Sequence, residues 1–217
     1  RIKNDKGIIG YATPTPTVAS GHIYALFGNG VLSKFSERGE RVWSVWLGEA
    51  VEPMFGWETG NAASPLVADD VLVAPYALLR GIDLNTGQIL WEGGEYRHYG
   101  TPAIATVNSE RVVITPGGEI IRPRDGMEMG SGLPRIDYVG PVAVGDVVYS
   151  IGWFSHQNKS TSTQGTAYKL VKENDGRIGV HKLWVRELSK ERTYATPLVN
   201  GERIFVVFIE GEMQVLN

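Results

Sequence analysis

The chain contains no cysteine. That single absence excludes a disulfide scaffold, a thiolate metal site and a cysteine nucleophile together, while leaving the redox compartment open. No apolar run approaches the ~18 residues that a membrane helix needs, so no membrane span is expected. A charge excess is also missing: Lys plus Arg is 21, Asp plus Glu is 24, the net charge is −3, and no block of five like charges occurs. Binding of nucleic acid or of an anionic membrane through bulk charge is therefore not expected. Nowhere do apolar residues recur at i, i+3, i+4 and i+7 over eleven positions behind a cap, so almost no helix is expected. The first residue is Arg1, with neither an initiator Met nor a signal-like stretch. The true start is expected upstream, and targeting is not legible here.

What the chain has in plenty is glycine, 27 of 217 residues or about 12%, against a usual ~7%, together with 6 Trp and 9 Tyr. This composition points to short strands and many turns. An internal repeat organises them. Each unit begins with a small or aromatic residue and a Thr/Ser/Gly-Pro step, continues into a short apolar strand and a Gly/Asp/Asn turn, and closes with a second strand. The copies run from Tyr11-Ala12-Thr13-Pro14 to His22-Ile23-Tyr24, and from Ala63-Ser64-Pro65 to Val71-Leu72-Val73. Three more run from Tyr99-Gly100-Thr101-Pro102 to Arg111-Val112-Val113, from Tyr138-Val139-Gly140-Pro141 to Val147-Val148-Tyr149, and from Tyr194-Ala195-Thr196-Pro197 to Arg203-Ile204-Phe205. The prolines at 14, 65, 102, 141 and 197 are 51, 37, 39 and 56 residues apart, about 46 on average. That is the period of a four-stranded propeller blade.

Within a unit the alternation is that of strands, and Asp69-Asp70 between two β-rich runs reads as a hairpin turn. The second half of the unit is clearest in the second copy, Gly81-Ile82-Asp83-Leu84-Asn85-Thr86-Gly87-Gln88-Ile89-Leu90-Trp91, a strand, a tight turn and a strand. Here the chain resembles the quinoprotein-like β-propeller family, built on the pyrroloquinoline quinone repeat, whose motif is Ala-x-Asp-x-x-Thr-Gly-x-x-x-Trp. Members include quinoprotein dehydrogenases and a lipoprotein of outer-membrane assembly, and the architecture is WD40-like. The second copy departs only in Gly81 for Ala. The first keeps Gly39 and Trp43 but has Phe35 and Arg38 at the Asp and Thr positions. The third keeps Asp125-Gly126 but has Gly130 in place of Trp, and the fourth keeps Asp175-Gly176 and reaches Trp184 about four residues late.

The resemblance implies an all-β propeller of four-stranded antiparallel blades, with Trp43, Trp91 and Trp184 docking between neighbouring blades. Blades are expected at about 11–48, 62–94, 99–134, 138–189 and, incomplete, 194–217, within a single full or partial propeller domain. Dividing 217 residues by a period near 46 gives about 4.7 blades. Either Arg1–Gly10 closes a five-bladed ring, or the chain is part of a seven- or eight-bladed propeller; the resemblance favours the second, with missing blades or neighbouring domains to follow.

Strands that alternate up and down put two sets of loops on one face: those between blades, and those between the second and third strands of a blade. The first set carries Glu95-Tyr96-Arg97-His98, Arg135-Ile136-Asp137 and Glu191-Arg192. Four of the five repeats then place Tyr three residues before the proline: Tyr11, Tyr99, Tyr138 and Tyr194, with Ala62 as the exception. The tyrosines suit equivalent packing sites with their hydroxyls at a wet edge. They equally suit an aromatic and basic channel mouth, with Arg97, His98, Arg135 and Arg192 as donors to an anionic, carbohydrate or peptide ligand. The second set contains the longest departure from the repeat, Gly152 to Gly165. Its polar Gln157–Gln164 stretch reads as a solvated hairpin tip, while Trp153, Phe154 and His156 beside it could form a lid.

Chemistry is scarce by comparison. Asp83-Leu84-Asn85-Thr86-Gly87 and Glu173-Asn174-Asp175-Gly176 begin like calcium loops but lack the downstream bidentate Glu. His22, His98, His156 and His181 are not paired at metal-binding spacing. Gly28-Asn29-Gly30 lacks the third Gly and the helix of a dinucleotide loop. No catalytic residue and no metal ligand is assigned. For dehydrogenase members the resemblance implies bound pyrroloquinoline quinone with calcium, an adjacent Cys pair and a catalytic Asp, none of which maps onto this chain. The expectation is a non-catalytic binding or scaffold module of a bacterial periplasmic or extracellular protein, without a cofactor, recognising a protein, peptide or glycan at the channel mouth. The alternative is a portion of a quinone-dependent alcohol or sugar dehydrogenase.

Overall fold

The computed structural model describes residues 14–49, 62–96, 99–136, 138–153 and 162–217. They form five antiparallel sheets, and among the described residues there is no helix. The first sheet is β1 (Thr17–Ala19), β2 (His22–Leu26), β3 (Val31–Ser36) and β4 (Arg41–Trp46); the second is β5 (Leu66–Ala68), β6 (Val71–Asp83) and β7 (Ile89–Tyr96). The third is β8 (Ala103–Val107), β9 (Glu110–Ile114), β10 (Ile120–Ile121) and β11 (Glu128–Gly130). The fourth is β12 (Val142–Val144), β13 (Val147–Trp153), β14 (Thr163–Lys172) and β15 (Ile178–Ser189), and the fifth is β16 (Leu198–Asn200), β17 (Arg203–Val207) and β18 (Met213–Leu216).

Each strand pairs with the next in the chain, so every sheet is a meander that local turns can close. The repeat prolines Pro65, Pro102, Pro141 and Pro197 each stand immediately before a first strand, where a missing N–H breaks no ladder bond. Ser20-Gly21 and Asn108-Ser109 close the first hairpins of their sheets with positive φ at both residues, the geometry whose twist matches that of the flanking strands.

The second sheet differs from the four-stranded expectation. Its second and third strands run on as one 13-residue strand, β6, which pairs β5 through Val71–Val73 and β7 through Ala77–Ile82. No hairpin forms at Ala74-Pro75-Tyr76 between them. The chain instead bends once at Ala77, whose φ is +55°. β6 is buried along nearly its whole length, so its apolar run reads as a core strand rather than an alternating one.

The chain divides into two compact units: Arg1–Tyr99 with Pro123–Gly126, and Gly100–Arg122 with Met127–Asn217. In the first, Tyr24, Leu26, Leu32, Leu72, Tyr76 and Ile82 form the core, with Trp43 and Val45 packed against it. Outer-strand tryptophans join one sheet to the next turn. Trp43 Nε1 donates to the Leu84 carbonyl at 3.2 Å, and its ring covers Gly87, where an added Cβ would lie 2.9 Å away. Trp91 repeats the arrangement: Nε1 donates to the Pro123 carbonyl at 2.7 Å, and the ring covers Gly126 at 2.6 Å. Gly81 opposes Trp91 across the β6–β7 ladder, and a Cβ there would sit 2.0 Å from the indole nitrogen. This is the physical reason for Gly where the family motif has Ala.

The second unit makes the opposite choice at the same place in its third sheet. The position of Trp91 is taken by Gly130 and that of Gly81 by Ile120, the two being paired across β10 and β11. Ile120 is fully buried, and the Ile178 carbonyl comes so close to Gly130 that a Cβ would meet it at 2.3 Å. Large and small residues have exchanged strands. Ile120 packs with Ala105, Val112, Ile114, Val148 and Leu170, and a further cluster of Ile151, Ile204, Val206 and Phe208 takes in Tyr149, Trp184 and Leu188.

The Asp-x-x-Thr-Gly turn has a measurable pH signature. The Asp83 carboxylate accepts from the Thr86 N–H at 2.8 Å, the Thr86 hydroxyl at 2.9 Å and the Asn85 N–H at 3.0 Å. These bonds, the Thr86 N–H foremost, hold its pKa below the ordinary 3.8, and the Lys34 ammonium adds to the effect. Lys34 is itself buried and donates to the Leu84 carbonyl at 2.9 Å. Because the folded pKa is depressed, the stability it contributes is present above the ordinary aspartate range and lost as pH falls through the folded value. Thermal melts of Asp83→Asn against the parent should therefore diverge at neutral pH and converge in acid. Parallel curves down to the lowest pH would remove the assignment.

Candidate functional site

Strand pairing decides which loops meet. In the fourth sheet Thr163 lies opposite both Trp153 and Ser189, so the β13–β14 connection and the segment after β15 leave from the same end. The Thr163 hydroxyl then bonds the Glu191 carbonyl, and the Ile209 N–H bonds the Arg192 carbonyl at 2.9 Å, bringing the β17–β18 turn to that end as well. The same holds in the third sheet, where the Ile136 N–H donates to the Pro116 carbonyl at 2.9 Å and joins the β9–β10 turn to the segment before β12.

On this end of the second unit the structure gathers four residues singled out from the sequence. The Tyr138 and Tyr194 rings meet edge to face, with centroids 5.1 Å apart and planes at 86°. The Arg192 guanidinium carbon stands 4.9 Å from the Trp153 ring centre and 6.0 Å from that of Tyr138. A hydrogen bond with the Tyr194 side chain, and the proximity of both tyrosines, raise the Arg192 pKa further. Its charge is thus permanent and held by aromatic faces, each such contact worth about 0.5–1 kcal/mol near solvent. Tyr194 remains 52% exposed.

The loops carrying these side chains are locked at the backbone. Gly100 faces the Val139 carbonyl and Gly140 faces the Thr101 carbonyl so closely that a Cβ would lie 2.1 Å and 2.2 Å away, respectively. The Gly140 N–H also donates to the Thr196 hydroxyl at 3.3 Å. Segments 100–102, 138–141 and 194–197 therefore interlock, the first two by close main-chain approach and the last two through the Thr196 hydroxyl.

Arg135 is half-buried beside Ile136, and Tyr99 is half-buried at the end of the first unit. Tyr11, Arg97, His98 and His156 lie outside the described residues. In the first unit, the loop steps meet in the same way, the Thr15 N–H donating to the Ser64 hydroxyl at 2.8 Å.

Sequence reading missed the acidic side of this end. Burial, and then the charges of Glu210 and Glu212, push the Glu191 carboxyl above its ordinary pKa, although a backbone hydrogen bond from Glu210 acts in the opposite sense. The signal was available: Glu210-Gly211-Glu212 is the turn between the second and third strands of the fifth repeat, and strand direction assigns that turn to this end. Among the described residues no three His, Asp or Glu side chains gather as metal ligands. With no cysteine in the chain either, the described residues do not fit a quinone site of the kind the dehydrogenases imply.

A family model described as outer membrane protein assembly factor BamB matches residues 4–121. The structure of BamB from Moraxella catarrhalis superposes with a TM-score of 0.60 at 14% identity, covering 97% of this chain and 60% of that one. The C-terminal WD40 domain of Sif2 gives a TM-score of 0.60 at 14% identity, covering 91% of this chain and 52% of that one. The computationally designed protein Ika8 gives 0.51 at 11% identity, over 93% of this chain and 70% of that one. No curated protein sequence matches. These structural likenesses establish a β-propeller fold, and the chain spans about 60% of the length of the Moraxella protein.

Proposed function

The chain belongs to the family of the outer membrane protein assembly factor BamB, and on that premise we propose that it is a non-catalytic propeller segment that holds a protein partner outside the cytoplasm. The observation that carries this reading is the Arg192, Trp153, Tyr138 and Tyr194 cluster on interlocked loops. Arginine and large aromatics supply most of the energy at protein interfaces, and rigid presentation lowers the entropy lost on binding. An end built this way suits a platform better than a reaction centre. Its cation is engaged by ring faces while its tyrosines stay partly open.

The test is site-specific photo-crosslinking in the full chain, exported to the extracytoplasmic space of a bacterial host. A crosslinker replacing Tyr194 should capture a discrete protein, whereas one replacing Leu183, exposed on β15, should not. Arg192→Ala should weaken the captured complex roughly tenfold or more while lowering the melting temperature by only a few degrees. Equal capture from both positions, or a complex indifferent to Arg192→Ala, would refute the assignment. Addition of pyrroloquinoline quinone and calcium should yield no dye-linked oxidation of alcohols or sugars; turnover would overturn the non-catalytic part.

A further inference from the structure

We propose that the second unit carries a peptide-docking groove on the seam between β11 and the β14–β15 turn, shaped for an aromatic side chain, indole above all, supplied by a partner and flanked by basic residues. The site is separate from the Tyr138–Tyr194 cluster and does not depend on that reading.

Two seams of the first unit are filled. There the turn glycines that follow a tryptophan-bearing outer strand are covered by its indole, Gly87 by Trp43 and Gly126 by Trp91, with the indole N–H given to a turn carbonyl, while Gly39, at the first turn, has nothing within 4 Å. In the second unit the outer strand β11 offers Gly130 instead, and the corresponding turn glycine, Gly176, has nothing within 4 Å. Ile120 and the Ile178 backbone close the deep part of the seam around Gly130. Outside them remains an open groove of about 380 Å³, with Ser131 and Gly132 on one wall and Glu173, Asp175 and Arg177 on the other. A tryptophan side chain is smaller than this space and needs what the walls provide, which is glycine backbone to lie against and acceptors for its one donor.

The turn also sets the charge of the occupant. Asp175 Oδ1 is committed to the Arg177 N–H at 3.0 Å, and Glu173 Oε1 lies 3.5 Å from His181 Nε2. The remaining carboxylate oxygens line the groove against a single guanidinium, a net negative lip that favours Lys or Arg beside the aromatic residue. The turn is shorter than that of Gly87 and matches that of Gly39: the Gly176 N–H bonds Glu173 and the Gly39 N–H bonds Ser36, each three residues back, whereas the Gly87 N–H bonds Asp83, four back.

Amide chemical shifts of the full chain would be followed while titrating Ac-Lys-Trp-Lys-amide, with Ac-Lys-Ala-Lys-amide as control. The Trp peptide should give saturable shifts at Gly130, Gly132, Gly176 and Gly179, and the Ala peptide none. Ser131→Trp, which fills the groove from within, should abolish those shifts while leaving the melting temperature unchanged. Glu173→Gln, a milder change, should weaken binding roughly two- to fivefold. Shifts confined to Tyr138, Trp153 and Tyr194, shifts equal for both peptides, or binding that survives both variants would overturn the groove.

Discussion

Replacing Trp91 with Ala should destabilise the first unit by about 3–5 kcal/mol, the usual loss for a packed aromatic side chain. Two losses combine. The ring leaves a void between Gly81 and Gly126, two glycines that lack side chains because the indole occupies their space. The Pro123 carbonyl loses its donor at 2.7 Å, a bond worth about 0.5–1.5 kcal/mol net. Neither backbone can close the gap without shifting a turn or a strand. Trp91→Phe separates the contributions in part, since it keeps a six-membered ring while removing the N–H with the rest of the five-membered one; it should cost about 1–2 kcal/mol. Denaturant melts give the totals, and hydrogen exchange at the Gly126 amide gives the local effect. A Trp91→Ala protein that melts with the parent would show that the indole is surface decoration.

Gly140→Ala is expected to cost about 2–3 kcal/mol, a large penalty for one methyl group. Its Cβ would lie 2.2 Å from the Thr101 carbonyl oxygen, and that oxygen belongs to backbone that the following strand, β8, anchors. The loop must move instead. Movement stretches the bond from Gly140 to the Thr196 hydroxyl, which ties the step carrying Tyr138 to the step carrying Tyr194. The variant should therefore lose the edge-to-face contact as well as stability, seen as a change in near-ultraviolet tyrosine dichroism. Gly145→Ala supplies the contrast: its φ is +59°, but nothing lies within 4 Å, so only the backbone term of about 1 kcal/mol applies. Equal losses from the two variants would mean that the interlock has no role.

The two substitutions also separate what was legible from what was not. The Thr/Ser/Gly-Pro steps and the Asp83–Trp91 motif announced strands, turns and period, because a repeat states its local chemistry five times and noise in one copy is corrected by the others. The motif could not say why Gly81 replaces Ala, nor why the third copy has Gly130 for Trp. Both answers lie in the partner strand: Trp91 needs the room above Gly81, whereas Ile120 takes the room that Gly130 gives up. The fused strand β6 escaped for a similar reason. Val71 to Asp83 reads as two β runs, and only their pairing, one half with β5 and the other with β7, makes them one strand.

The candidate site was half legible. Tyr138, Tyr194, Arg192 and Trp153 were selected by position in the repeat, which strand direction converts into a shared end. Their pairing was not readable, because an edge-to-face contact at 5.1 Å and a guanidinium at 4.9 Å from an indole depend on backbone approach between glycines 40 residues apart in the chain. Glu210 and Glu212 went unnoticed since an acidic turn has the same sequence whether it faces solvent or a neighbouring carboxylate.

By itself the sequence determined that this protein has no thiol chemistry, no dominant charge, and a β-repeat of about 46 residues, since each of these depends on composition or on contacts between near neighbours in the chain. The tertiary structure alone decided which tryptophan lies on which glycine, where the repeat yields its indole to an isoleucine, and which aromatic residues surround Arg192. Those outcomes turn on gaps of 2–5 Å between segments far apart in sequence, and local propensity carries no information about such gaps.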